Sequence, residues 1–195
     1  MLSLSSEQIW TVVRRTVVIV LTCGMLWALG TAMGFIDTPT PNRLEVGEAL
    51  PHFELPIARK NGLLLSNSAF ASKGVLLNFF DRACKPCDAE LSILKRLHKR
   101  YAGAHFEIVG VTPQDPRMAQ SYLDYHKVVW PSLLDRRAVL RGLVGIPQYP
   151  TSIFVSPGGV IVGRHHGALT WKVASNATEK LIIQARKKAA IAPIE

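Results

Sequence analysis

Val75-Leu76-Leu77-Asn78-Phe79-Phe80-Asp81-Arg82-Ala83-Cys84-Lys85-Pro86-Cys87 holds a strand signal and a reactive pair in one short segment. Val75 to Phe80 is an almost unbroken apolar run of strand length, the pattern of a strand covered on both faces. After the cysteines, Leu91, Leu94, Leu97 and Tyr101 recur at helical spacing. Cys84 and Cys87 therefore sit at a strand-to-helix junction with two residues between them, the pattern of a redox-active dithiol. A helix start offers unpaired N–H groups and the positive end of the dipole, which favour a thiolate at Cys84. The thiolate is the attacking species in thiol–disulfide exchange.

Working outward, the sequence predicts strands at Phe106 to Val111, near Leu133-Leu134-Asp135, at Thr151 to Val155 and at Val160 to Arg164. Pro157-Gly158-Gly159 joins the last two so tightly that they must be antiparallel neighbours. Helices are expected over residues 115–127, with Met118, Tyr122 and Tyr125 along one side, around Val139 to Leu143, and from Thr170 to Lys188. Ahead of these, Phe53-Glu54-Leu55 and Leu63-Leu64-Leu65 flank Asn61-Gly62, a hairpin signal. Helices alternating with buried strands give an α/β fold, a mixed sheet flanked by helices.

The N-terminal part is different. From Thr16 to Ile36 no residue is charged, and the run is about long enough to cross a hydrocarbon core of roughly 30 Å as a helix. Arg14 and Arg15 precede it and Asp37 follows, so the positive-inside rule puts the rest of the chain outside the cytoplasm. A cleaved signal peptide begins in the same way, but no clean small-x-small site ends this run, and an uncleaved anchor is expected. Cys23 lies within it and reads as a small apolar filler. The organisation expected is an N-terminal segment over residues 1–36 with the anchor at about 16–36, a Pro/Thr-rich linker over 37–45, and one domain over 46–190.

The chain has 195 residues, with 23 Lys and Arg against 14 Asp and Glu, a formal net charge of +9. The excess is spread evenly, without dense basic clusters interleaved with aromatics, which argues against a nucleic-acid partner. A basic surface attracted to anionic lipid heads is the plainer reading.

The order of elements resembles the thioredoxin fold, and more narrowly the membrane-anchored TlpA/ResA/DsbE-like thiol–disulfide oxidoreductases. The resemblance rests on Gly47-Glu48-Ala49-Leu50-Pro51-His52-Phe53-Glu54-Leu55, Leu77-Asn78-Phe79-Phe80, Cys84-Lys85-Pro86-Cys87 and Tyr149-Pro150-Thr151, followed by Gly158-Gly159 and Gly167. It implies that Cys84 is the nucleophile and more exposed sulfur, that Cys87 resolves the mixed disulfide, and that the pair forms a reversible bridge. It implies a cis Pro150 facing the dithiol, with Tyr149 and Thr151 beside it as substrate-binding positions.

By the same resemblance Glu90 falls where an acid stands near the dithiol, able to raise cysteine pKa values or relay a proton. The alternative for Glu90 is a solvated carboxylate in the first helical turn. No cofactor and no metal are implied. The implied partners are exported disulfide-containing proteins, apocytochrome c among them, and a membrane electron donor of the DsbD/CcdA kind, at a bacterial inner membrane with the domain facing the periplasm. The implied direction is reduction.

Some positions depart from that pattern. Ala83 replaces the usual Trp before the first cysteine, and Asp81-Arg82 replaces small or hydroxyl residues. Competing readings are a disulfide oxidase, a peroxiredoxin-like peroxidase and a Sco-like copper protein. The peroxidase normally has Thr or Ser where Asp81 stands. The copper protein spaces its cysteines by three, and His165-His166, its candidate nitrogen ligands here, would point to opposite faces of a strand.

Overall fold

The computed structural model describes residues 6–32, 44–60, 63–103 and 105–191. The expected Pro/Thr spacer at Asp37 to Asn42, the last residues of the expected anchor and the Asn61-Gly62 turn lie outside them. The chain divides into two units, 1–42 and 43–195.

Among its described residues the first unit holds one helix, α1 (Ser6–Ala32). Trp10 to Leu29 is long and apolar enough to cross a membrane. Arg14 and Arg15 lie inside this helix rather than ahead of it, because nothing in Ser6 to Arg15 breaks a helix and Arg is a good helix former. Thr16 and Thr22 turn their hydroxyls back onto the carbonyls of Val12 (2.6 Å) and Val18 (3.0 Å), so they present no unpaired polar group.

The second unit contains, in order, β1 (Glu54–Pro56), β2 (Leu64–Ser66), β3 (Gly74–Phe79), α2 (Lys85–Tyr101), β4 (Phe106–Thr112), α3 (Pro116–Tyr125), β5 (Ser132–Leu134), α4 (Val139–Leu143), β6 (Thr151–Val155), β7 (Ile161–His166) and α5 (Trp171–Ile191). Five strands form one sheet in the order β5-β4-β3-β6-β7. β3, β4 and β5 run parallel, whereas β6 and β7 run against their neighbours. β1 and β2 pair separately as an antiparallel ribbon. This is the thioredoxin-like fold that the sequence predicted.

The period-2 alternation of β3 explains the layering. Leu76 and Phe80 point into a core shared with Leu91, Leu94 and Leu97 of α2, Ala119 and Leu123 of α3, and Ala174 and Leu181 of α5. Val75, Leu77 and Phe79 point to the other face, where Phe53, Leu140 and Val144 meet them. That second face is covered by the N-terminal ribbon and the short α4 instead of by long helices. Gly74 lets α5 approach closely, since a Cβ there would lie 2.5 Å from Leu181 Cβ.

In α3 the inward face runs beside the side that carries Met118, Tyr122 and Tyr125. Met118 is 46% exposed and Tyr125 81%, and the buried positions are Ala119 and Leu123. Small Ala119 allows the close contact with the core, so it sets the inward face.

Candidate active site

The end of β3 and the start of α2 meet at the dithiol. Cys84 is the N-cap of α2, and its Sγ accepts from Cys87 N–H at 3.2 Å. Pro86 occupies the first turn, where a missing N–H leaves no helical hydrogen bond unmade. The two sulfurs are bonded at 2.10 Å, with Cα atoms 5.3 Å apart. Cys87 is buried, and Cys84 is half-buried and borders an open depression with Asp81, Lys85, Pro86 and Tyr149. Cys84 is thus the sulfur that an incoming molecule meets first.

Asp81, one of the residues that departs from the expected pattern, fastens this loop. Its Oδ1 accepts from Ala83 N–H (2.8 Å), its Oδ2 from Gln114 Nε2 (2.9 Å), and its carbonyl from Cys84 N–H (3.1 Å). An Asx turn of this kind lets an acid stand where a small residue would otherwise be needed. Arg82 and Ala83 project outward from it.

Tyr149-Pro150 is a cis peptide, and Tyr149 lines the depression beside Cys84. Burial pushes the Tyr149 phenol above its ordinary pKa, partly opposed by Arg141, whose guanidinium carbon lies 5.0 Å from the ring centre. Thr151 does not join Tyr149 at the surface. Its side chain is fully buried, its hydroxyl donates to Gln148 C=O at 2.9 Å, and His166 Nδ1 lies 3.2 Å away. The Thr151 side chain thus holds the turn next to Tyr149.

Glu90 is not the solvated acid of the alternative reading. It is 1% exposed, one helical turn beyond Cys87 on the buried face of α2. Its Oε1 accepts from Leu169 N–H (2.9 Å) and its Oε2 from Asn78 Nδ2 (3.1 Å). Asn78 Nδ2 also donates to Ser152 Oγ, at 3.2 Å on the neighbouring strand. Burial raises the Glu90 pKa above 4.5, and the two hydrogen bonds and His165 oppose that rise without cancelling it.

Beside the first turn of α2, Tyr122 stacks on Phe80 with ring centres 5.4 Å apart and donates its hydroxyl to Asp88 at 2.8 Å. His126 Nε2 lies 3.4 Å from the same carboxylate. His165 and His166 part as strand geometry demands, His165 Nε2 towards Ala168 C=O (3.3 Å) and His166 towards Thr151. Among the described residues no group of three His, Cys, Asp or Glu is placed to hold a metal ion. Sequence reasoning missed Ser152, Gln114, Tyr122 and Arg141. Only Ser152 left a trace, as a hydroxyl inside a strand that is otherwise almost wholly apolar.

The fold and this bridged pair at a helix start define a class: thioredoxin-like thiol–disulfide oxidoreductases. The model of the AhpC/TSA family matches residues 46–164, and the chain belongs to that family, as a protein of the TlpA/ResA/DsbE-like kind. It is similar to thiol-disulfide oxidoreductase ResA of Halalkalibacterium halodurans, 30% identical over 108 residues that make up 55% of this chain and 61% of that protein. The ResA of Oceanobacillus iheyensis is 27% identical over 161 residues, 80% of this chain and 81% of the other. The solved thiol-disulfide oxidoreductase of Bacteroides fragilis superposes with a TM-score of 0.61 at 26% identity, covering 69% of this chain and 99% of its own.

Proposed function

We propose that the chain is an exported, membrane-anchored protein-disulfide reductase, held by α1 in a bacterial inner membrane with the domain on the periplasmic side. Substrates of this reading are exported disulfide-bonded proteins, apocytochrome c among them, and the electrons come from a membrane dithiol donor of the DsbD/CcdA kind. The observation that carries the direction is Glu90, buried one turn behind Cys87. A carboxyl in that place opposes a neighbouring thiolate when ionised and holds a proton for it when neutral. Strong oxidants owe their potential to a stabilised reduced form, and a dithiol backed by a buried acid lacks that stabilisation.

In the reaction, the Cys84 thiolate attacks one sulfur of the substrate bridge. A mixed disulfide forms and the first substrate thiolate leaves. Cys87, having given up its proton towards Glu90, then attacks Cys84 Sγ. The Cys84–Cys87 bridge closes, the second substrate thiolate leaves, and two electrons have passed from enzyme to substrate. The donor dithiol restores the reduced pair by the same exchange in reverse.

Equilibration of the full chain against glutathione and dithiothreitol series tests the direction. A potential near the −270 mV of thioredoxin supports the reductase, and one near the −120 mV of DsbA, to within about 30 mV, overturns it.

A further inference from the structure

Lys85 lines the dithiol depression, and four arginines lie near it in the chain or at the same end of the sheet. Arg82 and Lys85 flank Cys84 and are exposed. Arg136 and Arg137 follow β5, at the same end of the sheet as the dithiol because β3, β4 and β5 are parallel. Arg141 covers the ring of Tyr149, which itself borders the depression, and its Nε donates to Ile146 C=O at 3.3 Å.

The acids of this region are already engaged. Asp81 is held by Ala83 N–H and Gln114. Asp135, buried, accepts from the backbone N–H groups of Val139 (2.7 Å) and Arg141 (2.8 Å). Asp115 caps α3 through Arg117 and Met118 N–H, and Asp88 serves Tyr122 and His126. Among the described residues, none of the five cations has a carboxylate within ion-pair distance. The Arg141 side chain also hydrogen-bonds the Tyr149 hydroxyl, which fixes its place, and its charge is left for an approaching carboxylate.

We propose that these cations select the substrates: disulfide-bonded polypeptides carrying Asp or Glu next to the cysteine that Cys84 attacks, with Arg141 as the principal contact and Arg82 and Lys85 supporting it. The proposal rests on the oxidoreductase reading of Cys84 and Cys87 and adds the chemistry of what they meet. Arg141 acts on the approaching chain through position and charge, with Tyr149 as its platform.

The test uses the reduced full chain in detergent and three synthetic peptides with one internal disulfide, identical except for Asp, Asn or Lys flanking the cysteines. Bis(2-hydroxyethyl) disulfide, which is uncharged, reports the dithiol chemistry alone. The expected second-order rate constants favour the Asp peptide over the Asn peptide by about three- to tenfold at low salt, with the Lys peptide slowest. The preference shrinks as salt rises to about 0.5 M, where screening acts within roughly a few ångströms.

In Arg141→Gln the Asp-to-Asn ratio falls towards one, and Arg141→Lys restores it in part. Exposed Arg82→Gln gives a smaller fall and guards against a folding defect in the first variant, since a ratio within one variant is unaffected by loss of active protein. Equal rates for the three peptides, or a ratio unchanged in both Gln variants, overturn the proposal while leaving the oxidoreductase reading intact. Failure to reduce the uncharged disulfide overturns the oxidoreductase reading itself, and the proposal with it.

Discussion

Asn78 and Glu90, twelve residues apart in the chain, meet in the interior with Asn78 Nδ2 donating to Glu90 Oε2 at 3.1 Å. The contact ties the central strand to the helix that carries the dithiol, and Ser152 and Leu169 complete it from β6 and from the loop before α5. Both Glu90 oxygens accept a hydrogen bond, which is what makes a buried carboxyl tolerable.

Glu90→Gln should fold and should flatten the dependence of stability on pH. The unfolded chain releases the Glu90 proton near 4.5, whereas the folded chain holds it to higher pH. Between those values the folded state binds more protons, so stability falls as pH rises through the window above 4.5. Gln carries no such proton, and rotation of the Asn78 amide lets Oδ1 accept from the new amide and from Ser152. Urea denaturation at several pH values checks this; an unchanged slope in the variant means that Glu90 ionises in the fold as it does in water.

The two cysteines should behave unequally. In a Cys23→Ala background, which removes the one free cysteine, Cys87→Ser should accumulate a mixed disulfide between Cys84 and a disulfide substrate. Cys84→Ser should trap little, because Cys87 is 3% exposed. Intact-mass analysis after exposure to an oxidised peptide reads both. Equal trapping by the two variants would reverse the assigned order of attack.

The charges of the departing segment should tune the potential in opposite senses. Asp81→Asn keeps a side-chain acceptor for Ala83 N–H but removes a negative charge that opposes the Cys84 thiolate, so the reduced form is stabilised and the potential rises. Arg82→Gln removes a favourable charge and lowers it. Each change should be about 10–30 mV, since one pKa step on a thiol corresponds to roughly 30 mV in a two-electron couple. Titration against glutathione measures both, and shifts of the same sign would contradict the argument.

Gly74→Ala should destabilise the domain without touching the site. The added Cβ meets Leu181 Cβ at 2.5 Å, backbone-proximal atoms that cannot swing aside. A cost of about 1–3 kcal/mol is expected, seen as a lower urea midpoint with an unchanged potential. Full stability in the variant would mean that α5 is free to slide on the sheet.

Local pattern made most of the architecture legible. The apolar run at Val75 to Phe80, the leucines after Cys87 and the Pro-Gly-Gly turn each depend on neighbours within a few residues, and strand and helix periods are local properties. The inward face of α3 was not legible in the same way, because nothing local reveals that a close approach there needs the small side chain of Ala119.

The sequence by itself determined the strand, the helix, the dithiol at their junction and the apolar N-terminal helix. Tertiary structure alone decided the state of Glu90, the withdrawal of Thr151, the fastening of Asp81 by Gln114, and the stacking of Arg141 on Tyr149. The physical reason is separation along the chain. Hydrophobic periodicity is written into consecutive residues, whereas a polar group's partners depend on which strands become neighbours, and placing β3 between β4 and β6 brought Asn78 to Ser152 and Glu90.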